Sequence, residues 1–209
     1  MMLLAAREYS IASLPSDGEL ELIVRQERHA DGSLGLGSGW LTEGAALQGQ
    51  LLARVRRNSA FHAPDDARPL ILIGNGNGNG NGTGLAGLRS LLKARIVAGH
   101  TANWLLFGER NAAYDFYCQA QLQGWLATGD LAWLDLAFSR DQAAKVYVQD
   151  RLRESAERLR EWLAEGAAIY VCGSLDGMAA GVDQALHELL GEAAVNRLRE
   201  EGRYRRDVY

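Results

Sequence analysis

Cysteine and proline are scarce: two and three, respectively, in 209 residues. Cys118 and Cys172 are too few for a disulfide framework, and no Cys or His group has metal-ligand spacing, so no metal site is expected. Long hydrophobic runs are also missing, since none approaches the ~18 apolar residues that a membrane span requires. Met1–Ala6 lacks the basic start and the length of a signal peptide. Positive charge is not in excess either. Twenty-two Lys and Arg stand against 26 Asp and Glu, for a net charge of −4, which argues against a nucleic-acid partner. The basic cluster of Arg197–Arg206 is interrupted by Glu200 and Glu201 and followed by Asp207. These absences leave a reducing cytoplasm as the expected location. What remains, 47% hydrophobic and 23% charged, is enough for one large core, or for one domain plus a piece of another.

Two kinds of patterning divide the chain. Residues 7–57 read as β structure: Glu19–Gln26 and Gln50–Arg56 partly alternate polar with apolar, with Gly and Asp turns between them. Asn58–Pro69, with two prolines and Asp65-Asp66, reads as a linker. From Leu70 the pattern changes to short apolar runs separated by helical stripes. Leu70–Ile73, Trp104–Phe107, Ala132–Phe138, Ala168–Cys172 and Tyr204–Val208 are expected strands. Helices are expected over Leu85–Ala98, Asp115–Trp125, Gln149–Ala164, Met178–Leu190 and Glu192–Glu201. Such alternation predicts an α/β, doubly wound, parallel five-stranded sheet. The expected boundaries are 1–66 for the β part and 67–209 for the α/β part.

Gly74–Gly84 reads GNGNGNGNGTG, with four consecutive Asn-Gly pairs. Without three of them it becomes Gly-Asn-Gly-Thr-Gly, a turn that lets backbone approach a pyrophosphate, with Thr83 capping the helix that follows. A tight βα turn or a low-complexity insertion is the plainer alternative. No Lys-Ser/Thr follows the glycines, which excludes a Walker loop.

Six further segments carry chemistry. They are Arg7-Glu8-Tyr9-Ser10, Gly35-Leu36-Gly37-Ser38-Gly39, Gly108-Glu109-Arg110, Ser139-Arg140…Lys145-Val146-Tyr147-Val148-Gln149, Tyr170-Val171-Cys172-Gly173, and the terminus Arg203-Tyr204…Asp207-Val208-Tyr209. Each has a plainer reading: Tyr9 as a strand aromatic, Gly35–Gly39 as a turn, Cys172 as a small buried residue. The spacing Ser-Arg-x₄-Lys-x-Tyr-x-Gln is the most specific. Taken together, in this order, they resemble the diflavin reductases, the family of sulfite reductase flavoprotein and NADPH–cytochrome P450 reductase. The resemblance runs from residue 7 to 209.

The resemblance implies a ferredoxin-NADP reductase-like NADP domain preceded by an incomplete antiparallel β-barrel FAD domain. It implies NADPH and FAD as cofactors, with FMN only in a domain expected upstream together with the first barrel strands, so that the chain is expected to be a fragment. It assigns Arg7, Tyr9, Ser10, Gly35, Leu36, Gly37, Ser38 and Tyr209 to FAD. Thr83, Arg110, Ser139, Arg140, Lys145, Tyr147, Gln149 and Met178 fall to NADPH. A guanidinium, an ammonium and hydroxyl donors converging beyond a strand end suit a 2′-phosphate, whereas an acidic residue there would suit NAD. Ser10, Cys172 and Asp207 are implied around the hydride path, and Tyr209 stacks on the flavin until nicotinamide displaces it. The family usually has Asp where this chain has Ser174, and an acidic residue where it has Gly181. An FMN domain, or a haem or iron–sulfur acceptor protein, is the implied electron partner. The alternatives are a single-flavin ferredoxin-NADP or cytochrome b5 reductase relative, and an NADP(H)-binding module without flavin or turnover.

Overall fold

The computed structural model describes residues 7–76 and 84–209. Thr83 and most of the Asn-Gly tract therefore lie outside the described residues. Five strands form one sheet: β1 (Leu70–Asn75), β2 (Asn103–Glu109), β3 (Trp133–Phe138), β4 (Ala168–Gly173) and β5 (Tyr204–Val208). All neighbours are parallel, in the order β3-β2-β1-β4-β5. The expected parallel five-stranded sheet is therefore observed. Parallel strands need crossovers, and the helical stripes supply them. These are α2 (Gly84–Val97), α3 (Ala112–Asp115) with α4 (Gln119–Thr128), α5 (Val148–Glu154) with α6 (Ala156–Ala164), and α7 (Ala180–Leu190) with α8 (Glu192–Glu200). One further short helix, α1 (Leu36–Gly39), precedes the sheet.

The apolar run of β1 is divided between two cores by the twofold period of a strand. Ile71 and Ile73 join Trp104, Leu106, Ile169 and Val171 under α5, α6, α7 and α8. Leu70 and Leu72 face the other way, with Leu105, Phe107, Tyr170 and Cys172, against Leu85, Leu88 and Leu92 of α2 and Leu122 of α4. Both cores exclude water, so every residue of β2 and β4 is buried.

Three expectations are corrected. The helix expected over Asp115–Trp125 is two helices, because Cys118 takes a left-handed backbone (φ 57°) between them. The helix expected over Gln149–Ala164 is likewise split, at Ser155 (φ −101°, ψ 26°). The β structure expected over residues 7–57 is reduced to two isolated antiparallel bridges, Ile11–Leu22 and Arg28–Leu34, with helical turns at Pro15–Asp17, Leu36–Gly39 and Trp40–Gly44. The incomplete barrel is thus not formed among the described residues. Gln50–Arg56 alternates, but among the described residues no strand pairs with it, and Leu51, Leu52 and Val55 stay exposed. Alternation stabilises a strand only through cross-strand partners.

Asn58–Pro69 is more than a linker. Phe61 is buried against Tyr170, with ring centroids 5.2 Å apart, and the Tyr170 hydroxyl donates to the His62 carbonyl at 2.6 Å. The buried Arg95 of α2 donates to the Arg68 carbonyl at 2.8 Å. Further upstream, Arg89 and Lys93 of α2 pair with Glu21 and Asp17. The N-terminal segment thus lies along α2 and against Tyr170 of β4.

Candidate cofactor-binding site

The strand order reverses between β1 and β4, and in open parallel sheets ligands bind beyond the strand ends at such a point. Two glycines let the chain crowd together there. A Cβ on Gly84, the first residue of α2, would lie 2.2 Å from the Cys172 carbonyl oxygen and 2.8 Å from that of Asn75. Gly173 has φ 137° and would place its Cβ 2.3 Å from Asn75 Oδ1. Asn75 Oδ1 accepts the Ser174 N–H at 3.1 Å and so ties the ends of β1 and β4 together. Nothing in the repetitive tract distinguishes Asn75 from its copies. Its place at the end of β1 does.

On one side of the reversal is a cleft of about 420 Å³, bounded by Asn75, Arg110, Ser139, Arg140, Lys145, Tyr147, Gln149 and Met178, among others. Seven of the eight residues assigned to NADPH from the sequence line this single cavity, and Thr83 lies outside the described residues. The backbone sets these positions. Ser139 N–H donates to the Glu109 carbonyl at 2.9 Å and Arg140 N–H to the Arg110 carbonyl at 2.8 Å, which extends the β2–β3 pairing past the strand ends. Asp141 then caps α3, accepting from Ala112 N–H and Asn111 Nδ2 at 2.9 Å each. Asp150 Oδ2 accepts the Tyr147 N–H at 2.9 Å, which starts α5 and places Tyr147 on the cleft rim. Gln149 is half-buried, and its Oε1 is buried without a partner among the described residues. A Cβ on Gly181 would meet the Gln149 carboxamide at 2.9 Å, so glycine there leaves room for that side chain.

Cys172, Asp207 and Tyr209 gather on the other side of the reversal. Cys172 pairs in register with Asp207 across β4 and β5 and is fully buried. Burial, reinforced by the Asp207 charge, pushes its thiol far above the usual cysteine range, so it stays protonated. Burial also raises the Asp207 carboxyl, against a hydrogen bond from Asn58. Tyr209 N–H donates to the Gly173 carbonyl at 3.1 Å, and the phenol is pushed up by burial and by the neighbouring Cys172 and Asp207. Ser10 comes from the far end of the chain. Its Oγ and Cys172 Sγ lie 3.8 and 3.6 Å from the position of a Cβ on Gly87.

Arg7, Tyr9 and Gly35–Ser38 also meet. A Cβ on Gly37 would lie 3.0 Å from Tyr9 Oη and 3.2 Å from Arg7 Cγ. Tyr9 Oη is buried without a partner among the described residues, and its acidity is lowered by that burial against the pull of the Arg7 charge. Leu36 is exposed, whereas Ser38 is buried and accepts the Glu27 N–H at 3.0 Å. Two acidic cleft residues, Glu109 and Asp176, carry no role expected from the sequence, Glu109 being only the variable position of Gly108-Glu109-Arg110. Asp176 and Gly177 break helical geometry inside the turn Leu175–Ala179, just past β4. A single Glu ending an apolar strand carries no sequence signal of its own.

Residues 80–184 match the family described as the oxidoreductase NAD-binding domain. Over 99% of its length the chain is 39% identical to the sulfite reductase NADPH flavoprotein alpha-component of Mannheimia succiniciproducens, of which it covers 36%. The protein of the same name from Neisseria meningitidis serogroup B gives the same figures. That of Vibrio cholerae (strain ATCC 39315) is 40% identical, again over 99% of this chain and 35% of the relative. The chain thus spans about a third of the length of these curated relatives.

Proposed function

The chain belongs to the oxidoreductase NAD-binding domain family, and from that membership we propose that it binds NADPH and serves hydride transfer to a flavin. One observation carries this reading. The cations and hydroxyls of Arg110, Ser139, Arg140, Lys145 and Tyr147, drawn from two separate segments, line one cleft beside the sheet's reversal point. The same cleft holds the carboxamide oxygen of Gln149, buried with no partner among the described residues, which suits a ligand with donors to offer.

Arg140, Lys145, Ser139 and Tyr147 would hold the 2′-phosphate, with the Tyr147 ring against the adenine. Arg110 would hold a phosphate nearer β2, and Met178 would line the path towards Cys172. Arg7, Tyr9, Ser10, Tyr209 and the Gly35–Ser38 segment would hold FAD, and the buried Tyr9 hydroxyl, without a partner among the described residues, fits a ligand with a donor or acceptor to offer. When bound, nicotinamide supplies the hydride and the flavin receives it. The chain's share is alignment and charge. Cys172 presents a neutral, packed thiol, Ser10 a hydroxyl and Asp207 a carboxyl at one place, and Tyr209 covers that place until displaced. Onward transfer to an FMN domain or to a haem or iron–sulfur acceptor belongs to the same proposal and rests on the resemblance to the diflavin reductases.

Residues 7–69 contain no strand among the described residues, which favours a second reading: NADP(H) binding without retained flavin. An absorbance scan of dialysed protein separates the two, since bound flavin absorbs at ~450 nm. Titration with 2′,5′-ADP tests the nucleotide site in either case. Failure to bind it would remove both readings.

A further inference from the structure

The cleft that gathers cations also holds a carboxylate. Glu109 ends β2 with its side chain 1% exposed. A Cβ on Gly76 would fall 1.6 Å from its Oε1, so the carboxylate lies directly against the start of the glycine loop. It also touches the anion-binding edge. Its Oε2 accepts the Arg110 N–H at 3.1 Å, and its backbone carbonyl accepts the Ser139 N–H at 2.9 Å. A buried, uncompensated negative charge there opposes any phosphate entering the cleft.

Compensation comes from 84 residues earlier in the chain. Arg25 Nη1 lies 3.0 Å from Glu109 Oε2, and its Nη2 lies 3.0 Å from Asp115 Oδ1, in a pocket where the guanidinium side chain is 19% exposed. Asp115 Oδ2 in turn accepts the Asn111 N–H at 3.1 Å, at the turn where Asp141 holds α3 beside Arg140. Arg25 belongs to the segment that carries Arg7, Tyr9 and Gly35–Ser38, and it lies two residues from Glu27, which abuts Gly35. The flavin-side segment thereby delivers a positive charge to the floor of the nucleotide cleft.

We propose that Arg25 is a positioning residue of the nucleotide site: by neutralising Glu109 it makes the cleft floor receptive to phosphate and couples docking of residues 7–69 to nucleotide binding. The inference rests on the NADPH reading above. Coupling of this kind is reciprocal, so a nucleotide in the cleft also favours the docked arrangement of the N-terminal segment.

Calorimetric titration of ADP and 2′,5′-ADP into wild type, Arg25→Ala, Glu109→Gln and the double variant tests it. Arg25→Ala should weaken both nucleotides about tenfold, because the loss is a general phosphate repulsion. Glu109→Gln should tighten both about threefold, and in the double variant it should restore affinity to within about threefold of wild type. A loss that persists in the double variant, or an Arg25→Ala protein that binds as wild type does, overturns the inference while leaving NADPH binding intact. Wild type binding neither nucleotide would sink the proposed function and this inference together. Should thermal melting show that Arg25→Ala does not fold, Glu109→Gln alone decides: tighter binding supports the neutralisation, and unchanged or weaker binding overturns it.

Discussion

Arg140→Ala probes the choice of NADPH over NADH. Arg140 follows β3 with its side chain exposed on the cleft wall, beside Ser139, Lys145 and Tyr147. What fixes its position is the backbone bond from its N–H to the Arg110 carbonyl, at 2.8 Å, which alanine retains. The fold should therefore be unaffected, and the substitution removes only the guanidinium. A charge-assisted bond to a phosphate contributes ~1.5–3 kcal/mol. Exposure and salt screening place Arg140 at the low end, about 1.5 kcal/mol or roughly tenfold in affinity. Lys145 remains on the same wall, so the preference should be eroded rather than abolished. ADP never makes this contact, and its affinity should change less than about twofold. Titrating 2′,5′-ADP and ADP into both proteins reads the difference directly. Equal losses for the two ligands would refute the reasoning, because they would show Arg140 acting through the structure of the cleft rather than on the 2′-phosphate.

Three further outcomes are expected. Gly84→Ala sets a methyl group against the backbone carbonyls of Cys172 and Asn75, neither of which can yield as a flexible side chain would, so it should cost about 2–3 kcal/mol and lower the urea midpoint. Gly181→Ala meets only the movable end of Gln149; it should stabilise α7 by up to ~1 kcal/mol while weakening 2′,5′-ADP several-fold, and unchanged nucleotide affinity would show that Gln149 has no part in binding. Asp207 is held above its ordinary value in the folded chain, so the folded state keeps its proton to a higher pH than the unfolded state does. Its contribution to stability is then greatest at low pH and falls as pH rises from the unfolded value of about 3.9 through the folded one. Asp207→Asn should flatten that part of a melting-temperature profile, and an unaltered profile would rule out the assignment.

The two halves of the chain differ in how far their pattern specifies structure. In residues 70–209 the apolar runs are long enough, and the helical stripes regular enough, that burial on both sheet faces leaves one arrangement open, and the five strands appear where the runs stand. The breaks at Cys118 and Ser155 left no trace, because helical periodicity continues across them while a single residue changes its backbone angles. In residues 7–57 the alternation was present but its partners were not, so the same kind of signal predicted strands that the described residues do not form.

By itself, the sequence determined the parallel sheet, the order of its elements and the residue types that a phosphate-bearing, redox-active ligand calls for, since these depend on periodicity and local chemistry. Tertiary structure alone decided which of those residues share a wall. Strand order brought Ser139, Arg140 and Lys145 into one cleft with Arg110 and Gln149, and register set Cys172 beside Asp207. Arg25 belongs to no motif, and Glu109 only fills the variable position of Gly108-Glu109-Arg110. A pairing between residues 84 apart depends on how the chain folds back over β2, which no local pattern encodes.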